Sequence, residues 1–221
     1  MTSTDEKILK DILESLKSDS RVNSHNITVE VSDGLVRLSG TTGTLISLRA
    51  AEFIARGVEG VKRVDNRIKI WSPGYEQLPS DKVISDNVKK AISLDKSIDL
   101  QMVRIDVEDA VVTLSGSVDS YWRKHHCEEI ISEVKDVAMV INKLTVTPAH
   151  KVEDAEIADN VRMALERMGA GLNTQYVTIT VENGIVTLTG KVPHWNAYNA
   201  AEYAVRHSRG VRDLKNELLI A

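Results

Sequence analysis

One seven-residue pattern occurs three times in this chain: GLVRLSG at 34–40, AVVTLSG at 110–116 and GIVTLTG at 184–190. The offsets are 76 and 74 residues, and other stretches fall into register with them. GVKRVDNRIKI (60–70), DVAMVINKLTV (136–146) and GVRDLKNELLI (210–220) each carry an asparagine at the same place, Asn66, Asn142 and Asn216. EKILKDILESL, DKVISDNVKKAI and AEIADNVRMAL precede the motif by similar distances. A repeat of this length is too long for a solenoid unit and suits a small domain. The boundaries that follow are 1–71, 80–147 and 154–221, joined by proline-bearing linkers at 72–79 and 148–153.

Each repeat reads the same way. An amphipathic helix comes first, with Ile8, Ile12 and Leu16 on one stripe, then Ile84, Val88 and Ile92, then Ile157, Val161 and Leu165. Ser3 and Glu6 have capping-box spacing at its first appearance. Two short strands follow, in which Ile27, Val29 and Val31 alternate with polar residues before Val36 and Leu38. Asp33-Gly34 and Asn183-Gly184 are strong two-residue hairpin signals, and Gly34 and Gly184 supply the positive φ that such a turn requires. Gly40, Gly116 and Gly190 close the motif. A second helix is expected near 44–57, 120–134 and 194–208, and a closing strand carries Val64, Ile68 and Ile70 with their counterparts. Polar residues on the other strand face (Thr28 and Glu30, Arg104 and Asp106, Thr178 and Thr180) require both helices to cover one face only. The fold class is therefore α+β: three tandem two-layer units, each α-β-β-α-β. Each would hold a three-stranded mixed sheet whose third strand runs parallel to the second and pairs with it.

The pattern V-x-V-x-[DN]-G-x-V-x-L-x-G, then an Ala-rich helix, then G-V-x-x-V-x-N-x-[LI]-x-[VI], resembles the BON domain of bacterial osmotic-stress and envelope proteins. The middle repeat departs from it, with Ala110 at the turn glycine and Asp136 at the glycine before the last strand. The resemblance implies a non-catalytic binding or scaffolding protein whose partner is membrane phospholipid or another protein. Potassium binding by some cytoplasmic relatives and self-association by others are the alternatives it implies. It carries no catalytic residue set and no cofactor.

Candidate sites are few. HHCEE (125–129) puts His125 and Glu129 one helical turn apart, a geometry that could share a metal with Glu128. Against this, His126 and Cys127 point about 100° away from their neighbours and align with Ala50, Ala51, Ala200 and Ala201, so the cluster cannot converge on one ion. The asparagines are in phase with inward apolar residues, which predicts a structural hydrogen bond to the turn before the last strand. The aromatics Tyr121, Trp122 and Trp195 open second helices, while Trp71 and Tyr75 flank the first linker. They fit either a seal between neighbouring units or a contact with a partner or lipid surface. Uncovered sheet edges offer a route to self-association.

Composition narrows the rest. Net charge is −4, distributed as +1, −3 and −1 over 1–71, 80–148 and 149–221 with Glu76 in the first linker, so no polybasic module exists for nucleic acid. GTTG (40–43) lies between a strand and a helix rather than between two helices, and an acidic chain stands behind it. The single cysteine, Cys127, suits a reducing compartment, and the acidic start has no secretory pattern, so a cytoplasmic location is expected, with any membrane contact peripheral.

Overall fold

The apolar stripes are buried as their period requires. In a computed structural model describing residues 3–70, 79–169 and 172–220, Ile12, Leu16, Val88, Ile92, Val161 and Leu165 are fully enclosed. They lie on the first helices α1 (Ser3–Ser18), α3 (Asp81–Ser93) and α5 (Asp154–Met168). Helix α1 begins at Ser3 itself rather than after it.

The hairpins form where the turn dipeptides stand. In the first repeat β1 (Ile27–Ser32) pairs antiparallel with β2 (Leu35–Thr42). Helix α2 (Leu45–Gly57) returns the chain to β3 (Arg63–Ile70), which runs parallel to β2. The middle repeat has β4 (Val103–Glu108), β5 (Val111–Val118) and helix α4 (Tyr121–Ser132). Its closing strand runs in two pieces, β6 (Met139–Asn142) and β7 (Thr145–Val146), rather than as the single strand expected. The break falls at Lys143 and Leu144, just after Asn142. The last repeat repeats the first, with β8 (Val177–Glu182) antiparallel to β9 (Ile185–Val192), helix α6 (Trp195–Arg206), and β10 (Asp213–Ile220) parallel to β9. The sheet orders are β1-β2-β3, β4-β5-β6 with β7 beside β5, and β10-β9-β8. Three small sheets of this kind, each with two helices, make the protein α+β.

By its internal contacts the chain divides into two compact units: Met1–Asp95 with Ile105–Thr113 and Glu128–Ile141, and Lys96–Arg104 with Leu114–Cys127 and Asn142–Ala221. The division runs through the middle repeat. In the first unit Arg49 on α2 pairs with Glu128 at 2.8 Å. In the second, Tyr121 and Val146 belong to the same buried cluster as Val161, Leu188 and Ala201.

Both turn residues have positive φ in every hairpin: Asp33 and Gly34 (53°, 76°), Asp109 and Ala110 (50°, 60°), Asn183 and Gly184 (52°, 78°). Ala110 thus adopts the left-handed geometry in which a Cβ costs about 1–2 kcal/mol. Glycine there removes that strain and adds about 0.5–1 kcal/mol of unfolded-chain entropy. Ala110→Gly is therefore expected to stabilise the protein by about 0.5 kcal/mol net, read as a higher midpoint in urea; a lower midpoint would refute the strain.

Candidate functional site

The polar residues common to the three repeats bond mainly to backbone. At the start of each first helix an aspartate reaches back to the hairpin turn. Asp154 accepts the N–H groups of Asn183 and Gly184, both at 2.8 Å. Asp81 does the same for Asp109 and Ala110 at 3.0 and 2.9 Å. Asp5, only 3% exposed, accepts the Gly34 N–H at 3.1 Å. Beyond the turn, the carbonyls of Gly34, Ala110 and Gly184 accept from Lys62, Ala138 and Arg212 at 2.9, 2.9 and 2.8 Å. Each hairpin tip is thereby tied to the first helix on one side and to the start of the closing strand on the other. These aspartates were the residues sequence reasoning missed. Their signal was present: an aspartate stands three residues before the stripe at 5, 81 and 154.

The asparagines differ from expectation. Asn66 and Asn142 find their partners on the second helix, not in the turn before the closing strand. Asn66 Nδ2 donates to the Leu48 carbonyl at 3.4 Å and to Glu52 at 3.2 Å, and Asn142 Nδ2 donates to the Lys124 carbonyl at 2.7 Å. In all three the side-chain oxygen accepts from the N–H two residues on, in Ile68, Leu144 and Leu218. An inward-facing residue midway along the closing strand faces the covering helix, and that is where its amide finds an acceptor. Asn216 Nδ2 is buried without a hydrogen-bond partner. Asn66 and Asn142 therefore pin helix to strand, and Asn216 pins its strand to itself.

Gly40, Gly116 and Gly190 mark the closest backbone approach in each unit. They have φ of 117°, 112° and 122°. A Cβ on any of them would fall well under 3.0 Å from the carbonyl oxygens of Asn26, Met102 and Tyr176.

The helix-opening aromatics separate into two environments. Tyr121 is 7% exposed and sits in the core cluster of the second unit. Burial, and then the carboxylates of Asp213 and Glu202, push its phenol well above the usual tyrosine value. A raised folded-state value means stability that is fully present below the unfolded value near 10 and is lost as pH rises beyond it. Stability should therefore fall above pH 10 or so, and Tyr121→Phe should flatten that fall; alkaline melts of the two proteins with the same slope would contradict this. Trp195 occupies the same register as Tyr121 and Leu45. Leu45 and Tyr121 are buried, whereas Trp195 stays half-buried, edge-on to Tyr198 with ring centres 5.3 Å apart. Trp122 is half-buried and stacked on His126, with ring centres 4.7 Å apart and planes 16° from parallel. Trp71 and Tyr75 lie outside the described residues.

HHCEE resolves into separate roles. Cys127 is fully buried in the place of Ala51 and Ala201, while His126 is half-buried rather than core-facing, because its ring lies against Trp122. His125 meets the edge of the Tyr121 ring, Glu128 is held by Arg49, and Glu129 is exposed. Among the described residues no three His, Cys, Asp or Glu side chains come together as metal ligands. No helix among them is long and apolar enough to cross a membrane.

Osmotically-inducible protein Y of Escherichia coli strain K12 is 27% identical over 143 residues, covering 63% of this chain and 71% of that protein. Among solved structures, the C-terminal domain of CdsD, a structural protein of the Chlamydia trachomatis type III secretion system, aligns at 14% identity. It covers 96% of both chains with a TM-score of 0.27. The periplasmic domain of PrgH, an inner-membrane protein of the S. typhimurium type III secretion system, aligns at 13% identity, covering 89% of this chain and 96% of that one, with a TM-score of 0.23. Scores this low carry no argument about this chain. The BON domain family matches residues 4–70, 80–148 and 153–221, nearly the whole sequence. The chain belongs to the BON domain family, three copies in tandem.

Proposed function

We propose that this chain is a non-catalytic binding protein of the osmotic-stress type, which uses three copies of one unit to hold weak contacts with a phospholipid surface. The observation that carries the reading is the use of the repeated polar residues. Asp5, Asp81 and Asp154 hold turn N–H groups, and the asparagines hold backbone, so the features shared by all copies build a scaffold. Catalysis needs a nucleophile, an acid–base pair or a metal in a pocket, and the shared residues supply none of these. The likeness to osmotically-inducible protein Y supports the setting.

Lipid contact would rest on apolar surface rather than charge, since the chain carries −4 and gains nothing from anionic headgroups. Half-exposed Trp122 and Trp195 at the starts of α4 and α6 are the residues best suited to a boundary with one apolar and one wet side. Single contacts of this kind are weak and reversible. Linking three copies multiplies them through effective concentration.

Thermal unfolding of the full chain in sodium buffer, in potassium buffer, and with neutral or anionic vesicles tests this. Anything that binds only the folded state raises the midpoint by mass action. The reading expects vesicles of either charge to raise it, and sodium and potassium to give equal midpoints. A shift with potassium alone would make the protein an ion binder instead. No shift with vesicles would overturn the lipid contact and leave a protein partner.

A further inference from the structure

The closing strands of the first and last repeats pair in the same parallel register, but their outward side chains differ in a systematic way. In the first repeat the outward positions of β3 are Arg63, Asp65 and Arg67. At the same register in the last repeat, β10 presents Asp213, Lys215 and Glu217. All three charges are reversed. The next outward pair, Lys69 and Leu219, adds a further cation to the first face and none to the last. In the middle repeat these three positions are Met139, Ile141 and Lys143, and Met139 and Ile141 are 53% and 39% exposed.

These residues stand on the sheet face that the helices leave uncovered. Val64 and Ile68 alternate with them inward in β3, as do Leu214 and Leu218 in β10. Around them the first face is mixed in charge. Arg37 on β2 faces Glu30 and Asp65 at 3.5 and 3.4 Å, and Arg67 also bonds Asp65 at 2.9 Å. Asp65 is thus enclosed by arginines, and the face presents net positive charge along β3. The β10 face carries two anions about one cation and so presents the opposite sign.

We propose that the open sheet face of the first repeat docks on the open sheet face of the last repeat in a second copy of this chain. Arg63, Asp65 and Arg67 would lie against Asp213, Lys215 and Glu217. Each copy carries one positive and one negative face, so two copies can satisfy both pairs reciprocally. Such an isologous arrangement closes as a dimer, whereas a head-to-tail contact would leave free ends. Complementary charge supplies specificity and register. The proposal rests on the reading of the chain as a multivalent binding protein and names one of its partners. Its test needs no lipid, so its failure leaves the vesicle experiment standing.

The test is sedimentation velocity of the full chain, with circular dichroism to verify folding. The native protein is expected to give a dimer mass at low ionic strength. Its dissociation constant should rise about tenfold or more between roughly 50 mM and 500 mM salt, as screening shortens the reach of exposed charges. Arg63→Asp/Arg67→Glu gives two acidic ends and Asp213→Arg/Glu217→Arg gives two basic ends; each variant alone should be monomeric. Mixed one to one, they should form a heterodimer, because each acidic face then meets a basic one. The chain with all four substitutions should dimerise again. A native protein that stays monomeric at tens of micromolar in low salt would overturn the proposal. So would variants that dimerise like the parent, a mixture that stays monomeric, or a growing series of larger masses in place of a dimer.

Discussion

Gly190→Ala should be the most damaging of the single substitutions considered for this chain, costing about 3–5 kcal/mol of stability. Two effects add. At φ of 122° an L-residue lies outside even the left-handed region, a strain of about 1–3 kcal/mol. The new methyl would also collide with the carbonyl oxygen of Tyr176, a backbone atom that moves only if the hairpin opens, and overpacking of this kind adds about 1–3 kcal/mol. The register Val177↔Gly190 explains the crowding: β8 enters the sheet beside the point where β9 leaves the hairpin ladder. Gly40 and Gly116 have the same geometry, so Gly40→Ala and Gly116→Ala should be of similar size. Urea unfolding monitored by circular dichroism reads the effect. A loss under about 1 kcal/mol at all three would mean the hairpins relax freely, against the tight packing of such elements.

The second large effect is expected at the aspartate that clamps the turn. Asp154→Ala strands the N–H groups of Asn183 and Gly184, now 2.8 Å from the carboxylate. Hydrogen bonds to a charged acceptor contribute about 1.5–3 kcal/mol each, and the partly exposed site reduces that, so a loss of about 2–3 kcal/mol is expected for the pair. Asp154→Asn keeps one acceptor oxygen and should lose about half as much. Asp81→Ala should behave alike, because Asp81 holds Asp109 and Ala110 in the same way. If the asparagine and alanine variants unfolded at the same urea concentration as the native chain, the clamp would be incidental.

Much of the fold was legible in the residues. Period-3.6 stripes such as Ile84, Val88 and Ile92 needed no tertiary information, because burying an apolar face is the only way such a helix gains stability. The dipeptides Asp33-Gly34 and Asn183-Gly184 named their own turn, and even Asp109-Ala110 kept the shape despite its methyl group. The parallel pairing of β3 with β2 followed from the crossover through a helix.

The candidate site was less legible, for physical reasons. Asp5, Asp81 and Asp154 stand at helix starts, where a carboxylate is already explained by the helix dipole. Only the folded hairpin shows that they hold a turn some thirty residues away. The asparagine amides were assigned to a nearby turn, but a side chain projecting from the sheet reaches the helix above it first. Trp122 and His126 are one helical turn apart, yet stacking depends on side-chain rotation that spacing does not fix. Reversal of charge between β3 and β10 is present in RVDNRIKI and DLKNELLI. It acquires meaning only once the alternate positions are placed on a face that no helix covers.

A weak apolar contact with phospholipid, repeated along one chain, is tested by flotation with vesicles. The full chain and its Trp122→Ser/Trp195→Ser variant would be floated with neutral and with anionic vesicles at physiological salt. The native chain is expected to float with both kinds to a similar extent, and the variant several-fold less. Flotation of neither protein would contradict the claim, and so would binding to anionic vesicles alone that the tryptophan substitutions leave unchanged.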